Sequence, residues 1–222
     1  MDEIKNHSPK SHRFFYVRTV IFLTLFAVIF LHLISSIPAL YRSVNRYKLS
    51  NEVKYLNNIS DNLFTAVGNY GFERGRVNVV LNDAGSVEKM ENNRKFILAR
   101  RVDGDKALND ALVKLTAQKT TNTTSFIDAI KKLTEEVRLL REETASNLVI
   151  PKEKRTQGLA EIWFSKMTEY IESINALLVD ISNNISDADG MISRYSSLKN
   201  ETLSLRNTAG PEMSILSATI LS

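Results

Sequence analysis

An all-α fold with one membrane-spanning helix near its N-terminus is predicted by three observations. Gly (8) and Pro (4) are scarce among 222 residues, and Cys is absent. Residues 19–41 form a run of 23 without a formal charge. Beyond that run, apolar side chains return at helical spacing rather than in alternation. Few chain breakers and no disulfides favour long helices over a strand-and-turn fold or a stapled secreted scaffold.

The uncharged run comes first in the chain. A helix rises about 1.5 Å per residue, so about 20 residues cross the hydrocarbon core. Phe14, Phe15 and Tyr16 on one side and Tyr41 on the other suit the two interfaces. A cleaved signal peptide or a buried core helix are the rival readings, and the run is long for the first. Basic residues flank both ends, with Lys5, Lys10, Arg13 and Arg18 before and Arg42, Arg46, Lys48 and Lys54 after. Charge bias therefore gives no orientation. A short tail, an anchor and a large body match a signal-anchor plan with the N-terminus in the cytoplasm. His32 lies inside the run, where a partner helix or a nearby hydroxyl is its expected neighbour.

After the run, Leu49, Val53, Leu56, Ile59 or Ser60, Leu63 and Val67 keep one helical seam, and Pro38 is a candidate kink. Val77, Val79, Val80 and Leu81 read as helix despite β-branching, because no partner strand exists. The next helix spans 86–118, with Val87, Met90, Ile97, Leu108, Leu112 and Leu115 on its stripe. A polar turn at 120–124 follows. Ser125 and Asp128 then suggest a capping box for a helix bearing Phe126, Ile130, Leu133, Val137 and Leu140. Pro151 interrupts the pattern, and 152–186 resumes it with Leu159, Ile162, Trp163, Met167, Tyr170, Ile174, Leu177, Ile181 and Ile185. A shorter amphipathic piece with Ile192, Tyr195, Leu198 and Leu205 runs to Gly210. Pro211 opens a further helix at its favoured first position. That helix breaks off in mid-pattern, so the bundle is expected to be incomplete at its C-terminal end.

Several function classes drop out on composition. The three histidines are His7, His12 and His32, so 42–222 contain neither His nor Cys. Ser-His-Asp and Cys-His catalysis and His- or Cys-liganded metals are excluded there. The expectation is no enzyme within these residues, no cofactor and no metal. The net charge of +4 divides evenly: residues 1–41 carry four basic and two acidic groups, leaving 25 against 23 beyond. A body so close to neutral predicts no nucleic-acid binding.

Charge does interrupt one stripe. The spacing from Val87 and Met90 places Arg94 and Arg101 on the seam of Ile97, and a buried guanidinium is costly unless paired. Glu91, Asp105 and Glu73 are candidate partners in an intramolecular ion-pair network. The functional alternative is an anion pocket of Arg74, Arg76, Arg94 and Arg101, since the planar guanidinium fork matches carboxylates and oxyanions. Trp163 with Phe164 reads as core rather than a ligand cage. Asn58 and Asn122 begin Asn-x-Ser/Thr triplets that matter only where glycosylation occurs.

Three segments carry a resemblance. The run Gly71-Phe-Glu-Arg-Gly-Arg-Val-Asn-Val-Val-Leu81 resembles the Glu-Arg-Gly-x-x-Asn-x-x-Leu segment of helical extracytoplasmic regions in bacterial receptors. These are methyl-accepting chemotaxis receptors, GGDEF-type diguanylate cyclases and histidine kinases. Arg101-Val-Asp-Gly-Asp-Lys-Ala-Leu108 and Leu205-Arg-Asn-Thr-Ala-Gly-Pro-Glu212 are similar to their next two motifs, in the expected order. The triplet Glu73-Arg74-Gly75 is also similar to nitrate- and nitrite-sensing bundles, where arginines bind the anion. That likeness reaches Arg74 and matches no second arginine here.

The resemblance implies a sensor. It assigns 1–18 to a cytoplasmic tail, 19–41 to the transmembrane helix, 42–210 to a periplasmic antiparallel helical bundle, and 211–222 to the start of another helix. The expected protein is a homodimeric, inner-membrane input region sensing a small molecule, with an anion among the candidates. Any catalytic output would lie beyond residue 222. The alternative is an anchored helical interaction or scaffold protein without a ligand.

Overall fold

The computed structural model describes residues 10–83, 87–118 and 123–186, together with positions 198, 201, 202 and 205. Every long element among them is helical: α1 (Lys10–Asn82), α2 (Val87–Gln118), α3 (Thr124–Asn147) and α4 (Leu159–Ser186). The all-α expectation holds for the described residues, including the β-branched stretch near Val79, which is the end of α1. The chain divides into two compact units, Met1–Asn51 and Glu52–Ser222.

The first unit holds the apolar part of α1. From Tyr16 to Tyr41 the large apolar side chains are exposed, and α1 contains a stretch apolar and long enough to cross a membrane, none of it buried. Its hydroxyls are satisfied locally. Thr24 donates to the carbonyls of Val20 and Ile21, and Ser35 and Ser36 both donate to that of His32. Pro38 lies within α1 without ending it. Leu49, expected to begin the buried seam, is exposed.

The second unit has one hydrophobic core, built from all four helices. On α1 the spacing Ile59, Leu63, Val67, Tyr70, Val77 and Val80 keeps one face inward. On α4 it is Leu159, Trp163, Met167, Tyr170, Ile174, Leu177 and Ile181. Cross-links between α1 and α2 run in opposite directions along the chain. Tyr55 donates to the Lys114 carbonyl, Tyr70 to Asp105, and Arg76 to Asn93.

The connector from α3 to α4 is pinned by side chains. Asn147 is buried, and its Oδ1 accepts the Thr156 N–H at 2.7 Å. The Arg155 guanidinium donates to the carbonyls of Val80, Leu81 and Asp83 at the end of α1, and to that of Ile150. The first three lie at and just past the helix C-terminus, where carbonyls run short of intrahelical partners and a cation is favoured. Gly158, at φ 76°, then turns the chain into α4.

Several boundaries correct the sequence reading. The segment 152–186 is not one helix: Lys152–Lys154 form a 3-10 turn, and α4 begins at Leu159. Helix α3 starts at Thr124 after an N-cap Thr123 without a side-chain cap bond, so the Ser125/Asp128 capping box is not formed. Ser125 lies already inside the helix, two positions past the cap. Ile162 is exposed because Trp163, next to it, takes the inward position. Of the turn expected at 120–124, residues 120–122 lie outside the described residues, while Thr123 is the N-cap and Thr124 the first residue of α3. The piece expected to 210 and the helix from Pro211 also lie outside them, apart from Leu198, Glu201, Thr202 and Leu205. These four are helical, and both leucines are exposed.

Gly104 sets the approach of α2 to α1. A Cβ there would lie 2.7 Å from Tyr70 Cε1. Tyr70 is fully buried and held by its hydroxyl, so its ring has little room to yield. Gly104→Ala gains up to about 1 kcal/mol of helix propensity, yet overpacking costs about 1–3 kcal/mol. The expected outcome is net destabilisation in urea unfolding; a variant as stable as the parent would reject this packing constraint.

Candidate functional site

The polar centre of the second unit is Glu73 on α1, with no exposed surface. Its Oε1 accepts Arg101 Nε from α2 at 2.9 Å and Arg141 Nε from α3 at 3.0 Å; its Oε2 accepts Arg141 Nη2 at 2.6 Å. Arg141 also donates through Nη1 to both oxygens of Asp105, at 3.0 and 3.1 Å. Two carboxylates and two guanidiniums from three helices thus balance one another. Burial opposes the charge on Arg141, but Glu73 and Asp105 outweigh it and hold its pKa above the ordinary value.

Two tyrosines extend this cluster. The Tyr70 hydroxyl donates to Asp105 Oδ1 at 2.8 Å, and its ring lies under Arg141. The Tyr170 ring packs against Tyr70 at 5.1 Å. Thr134 donates to the Ile130 carbonyl, so Tyr170 donates to Thr134 Oγ1 at 2.9 Å. Burial raises the pKa of both phenols, reinforced at Tyr70 by Tyr170 and Asp105. Both stay protonated and act as donors.

Above these tyrosines lies a groove of about 530 Å³, within the range of small-molecule sites. Its apolar wall comes from successive turns of α2 through Leu108, Leu112, Val113 and Ala117. Tyr70, Tyr170, Thr134 and Asp105 give it a polar base, and Asn109, Thr116 and Lys131 complete its lining. The Asp105 side chain is 48% exposed, so the cluster presents its accessible carboxylate to the groove. No group of three or more potential metal ligands occurs among the described residues.

The comparisons with known proteins add no relative. No family model, curated protein or solved structure matches the chain.

The four arginines singled out in the sequence occupy different settings. Arg101 joins the Glu73 cluster. Arg94 pairs with Glu91 on the surface, and its side chain is 56% exposed, so the burial expected from its seam position is not realised. Arg74 is buried; it donates to Thr168 Oγ1 at 3.0 Å, lies over the Phe164 ring, and leaves Nε without a partner. Desolvation lowers its pKa, against the pull of Glu172. Arg76 is exposed, bonds Asn93 and lies on Phe96. Glu73 and Asp105 do form ion pairs, but Asp105 pairs with Arg141 rather than Arg101. Trp163 is buried, donating to the Arg74 carbonyl at 3.1 Å.

Arg141 is the residue the sequence reading missed. It lies four positions after Val137 on the α3 stripe, so the test that flagged Arg94 and Arg101 would have flagged it. Removing one partner of a buried ion pair strands the other charge, at about 3–5 kcal/mol. Arg141→Met should therefore destabilise the chain by that amount in urea unfolding. The double variant Glu73→Gln/Arg141→Met should recover part of the loss, and additive single and double effects would refute the coupling.

Proposed function

We propose that this chain is the membrane-anchored input region of a bacterial signal-transduction receptor. In this reading 19–41 cross the inner membrane, the N-terminus is cytoplasmic, and a periplasmic antiparallel four-helix bundle senses a small molecule in a homodimer. The observation that carries the reading is the groove over Tyr70 and Asp105. Tyr70 belongs to α1, the helix that also contains the apolar stretch. A ligand that takes a hydrogen bond from Tyr70 or competes for Asp105 alters how α1 is tied to α2 and α3. Two arrangements of these ties supply a bistable element, and the ligand biases it by its differential affinity. The motif resemblance around Glu73 and Asp105 supports the same assignment.

The second reading is an anchored interaction protein with no ligand. Phe72, Leu98 and Val102 favour it, as large apolar side chains exposed on α1 and α2.

Thermal unfolding of the full chain in nanodiscs, against a library of amino acids, amines and organic acids, separates the two. A ligand at a hundredfold excess over Kd stabilises by about 2.7 kcal/mol. The sensor reading expects at least one compound to raise Tm, and Leu112→Trp, which fills the groove, to abolish the rise while the variant remains folded. No rise with any compound would favour the interaction protein.

A further inference from the structure

Eight arginines lie in residues 52–186. Arg94, Arg101, Arg138 and Arg141 pair with carboxylates, and Arg155 caps α1. Arg74, Arg76 and Arg100 instead lie over phenylalanine rings. Two of these, Arg76 and Arg100, belong to one repeated pattern. Asn69-x-x-Phe72-x-x-x-Arg76 on α1 has the same spacing as Asn93-x-x-Phe96-x-x-x-Arg100 on α2.

The two copies run on oppositely directed helices and bind each other reciprocally. Arg76 Nη1 donates to Asn93 Oδ1 at 3.2 Å, and Arg100 Nη1 donates to Asn69 Oδ1 at 3.3 Å. Both asparagines are buried, so each arginine is braced by a fixed acceptor on the other helix. Phe72 and Phe96 meet edge to face at 6.3 Å. Both guanidinium carbons lie within 5.0 Å of the Phe96 centroid, and Arg100 also lies over Phe72. The arrangement approximates a local twofold.

Its charge is not balanced. Neither guanidinium has a carboxylate partner among the described residues, and Arg100 Nε is buried without any acceptor. A guanidinium has five N–H donors, and each of these two is bonded through Nη1, leaving Nη2 of both for an incoming group. Phe72 is half exposed beside them. A clasp between helices would require neither two uncompensated cations nor an exposed ring.

We propose that the Asn-Phe-Arg pair is an oxyanion site, taking a carboxylate or phosphate monoester carried on an aromatic body. The two forks hold the oxygens from opposite sides, and Phe72 packs against the body. The site is separate from the groove over Tyr70 and stands whether or not that groove binds a ligand.

The test uses 19F NMR of 4-fluorobenzoate with the full chain in nanodiscs of a zwitterionic lipid. The parent should broaden the ligand signal, and excess benzoate or phenyl phosphate should restore it. Whichever displaces at lower concentration assigns the preferred oxyanion. Arg76→Gln and Arg100→Gln should each weaken binding about tenfold or more, consistent with loss of a charge-assisted bidentate contact. Arg76→Lys/Arg100→Lys keeps the charge but loses the fork, and should also bind weakly. Arg94→Gln should match the parent. No broadening by the parent at millimolar ligand, or equal broadening by a folded Arg76→Gln/Arg100→Gln double variant, would overturn the site.

Discussion

The second unit depends on keeping one carboxylate, Glu73, out of water. A carboxylate buried alone would be prohibitive, so the side chains around it are not free to drift. Arg101 and Arg141 approach from α2 and α3 and fix the rotation of both helices against α1. Arg141 then brings in Asp105, and Asp105 brings in Tyr70. The pairs act as register marks rather than as a net source of stability, since apolar packing of similar volume is often as stable as a buried ion pair. What they contribute is a preference for one alignment among the several that sliding apolar helices would allow.

Helix α4 is placed by different means. It packs an almost uninterrupted apolar stripe, and stripes of this kind tolerate slippage by a turn. Trp163 resists that through its hydrogen bond to the Arg74 carbonyl, and Arg74 answers with its bond to Thr168. At one end of the unit, Arg155 binds the last carbonyls of α1 from the connector before α4. Four arginines thus set the register of four helices: Arg101 and Arg141 through a carboxylate, Arg74 through a hydroxyl and Arg155 through a set of carbonyls. The glycine at 104 is the steric counterpart: it admits the Tyr70 ring, which the hydrogen bonds then orient.

Much of this was legible in the sequence, and what was not follows a pattern. Spacing gave the helices, the apolar run and most of the core, because burial along one face is a local, periodic property. It also placed Glu73 among three candidate partners for the stripe arginines, with Glu91 and Asp105, because an arginine on an apolar stripe demands one, and the fold then pairs Glu73 with Arg101. The α4 start was misplaced because Lys152 and Glu153 suit a helix as well as a 3-10 turn, and only the bonds of Arg155 and Asn147 decide between them. Arg155 itself carries no signal, lying in a charged loop far in sequence from the carbonyls it meets. The groove was invisible for the same reason. Its walls are ordinary core-like residues, and its base forms only when Tyr70, Thr134 and Tyr170 converge from three helices.

The Asn-Phe-Arg repeat shows how a pattern can be present in sequence and still mean nothing there. Two copies 24 positions apart are unremarkable on a single helix, since nothing says which faces they share. Once α1 and α2 run in opposite directions, the same spacing becomes a reciprocal arrangement in which each copy completes the other. The arginines of the unit then divide by environment. Those beside carboxylates are neutralised, and of these Arg101 and Arg141 align the helices through buried Glu73. Those on phenylalanine faces keep their charge, because a ring quadrupole attracts a cation without cancelling it. Arg74 spends that charge inside the fold, under desolvation. Arg76 is exposed and Arg100 partly so, and that difference from the buried Arg74 is why the proposed oxyanion site rests on this pair.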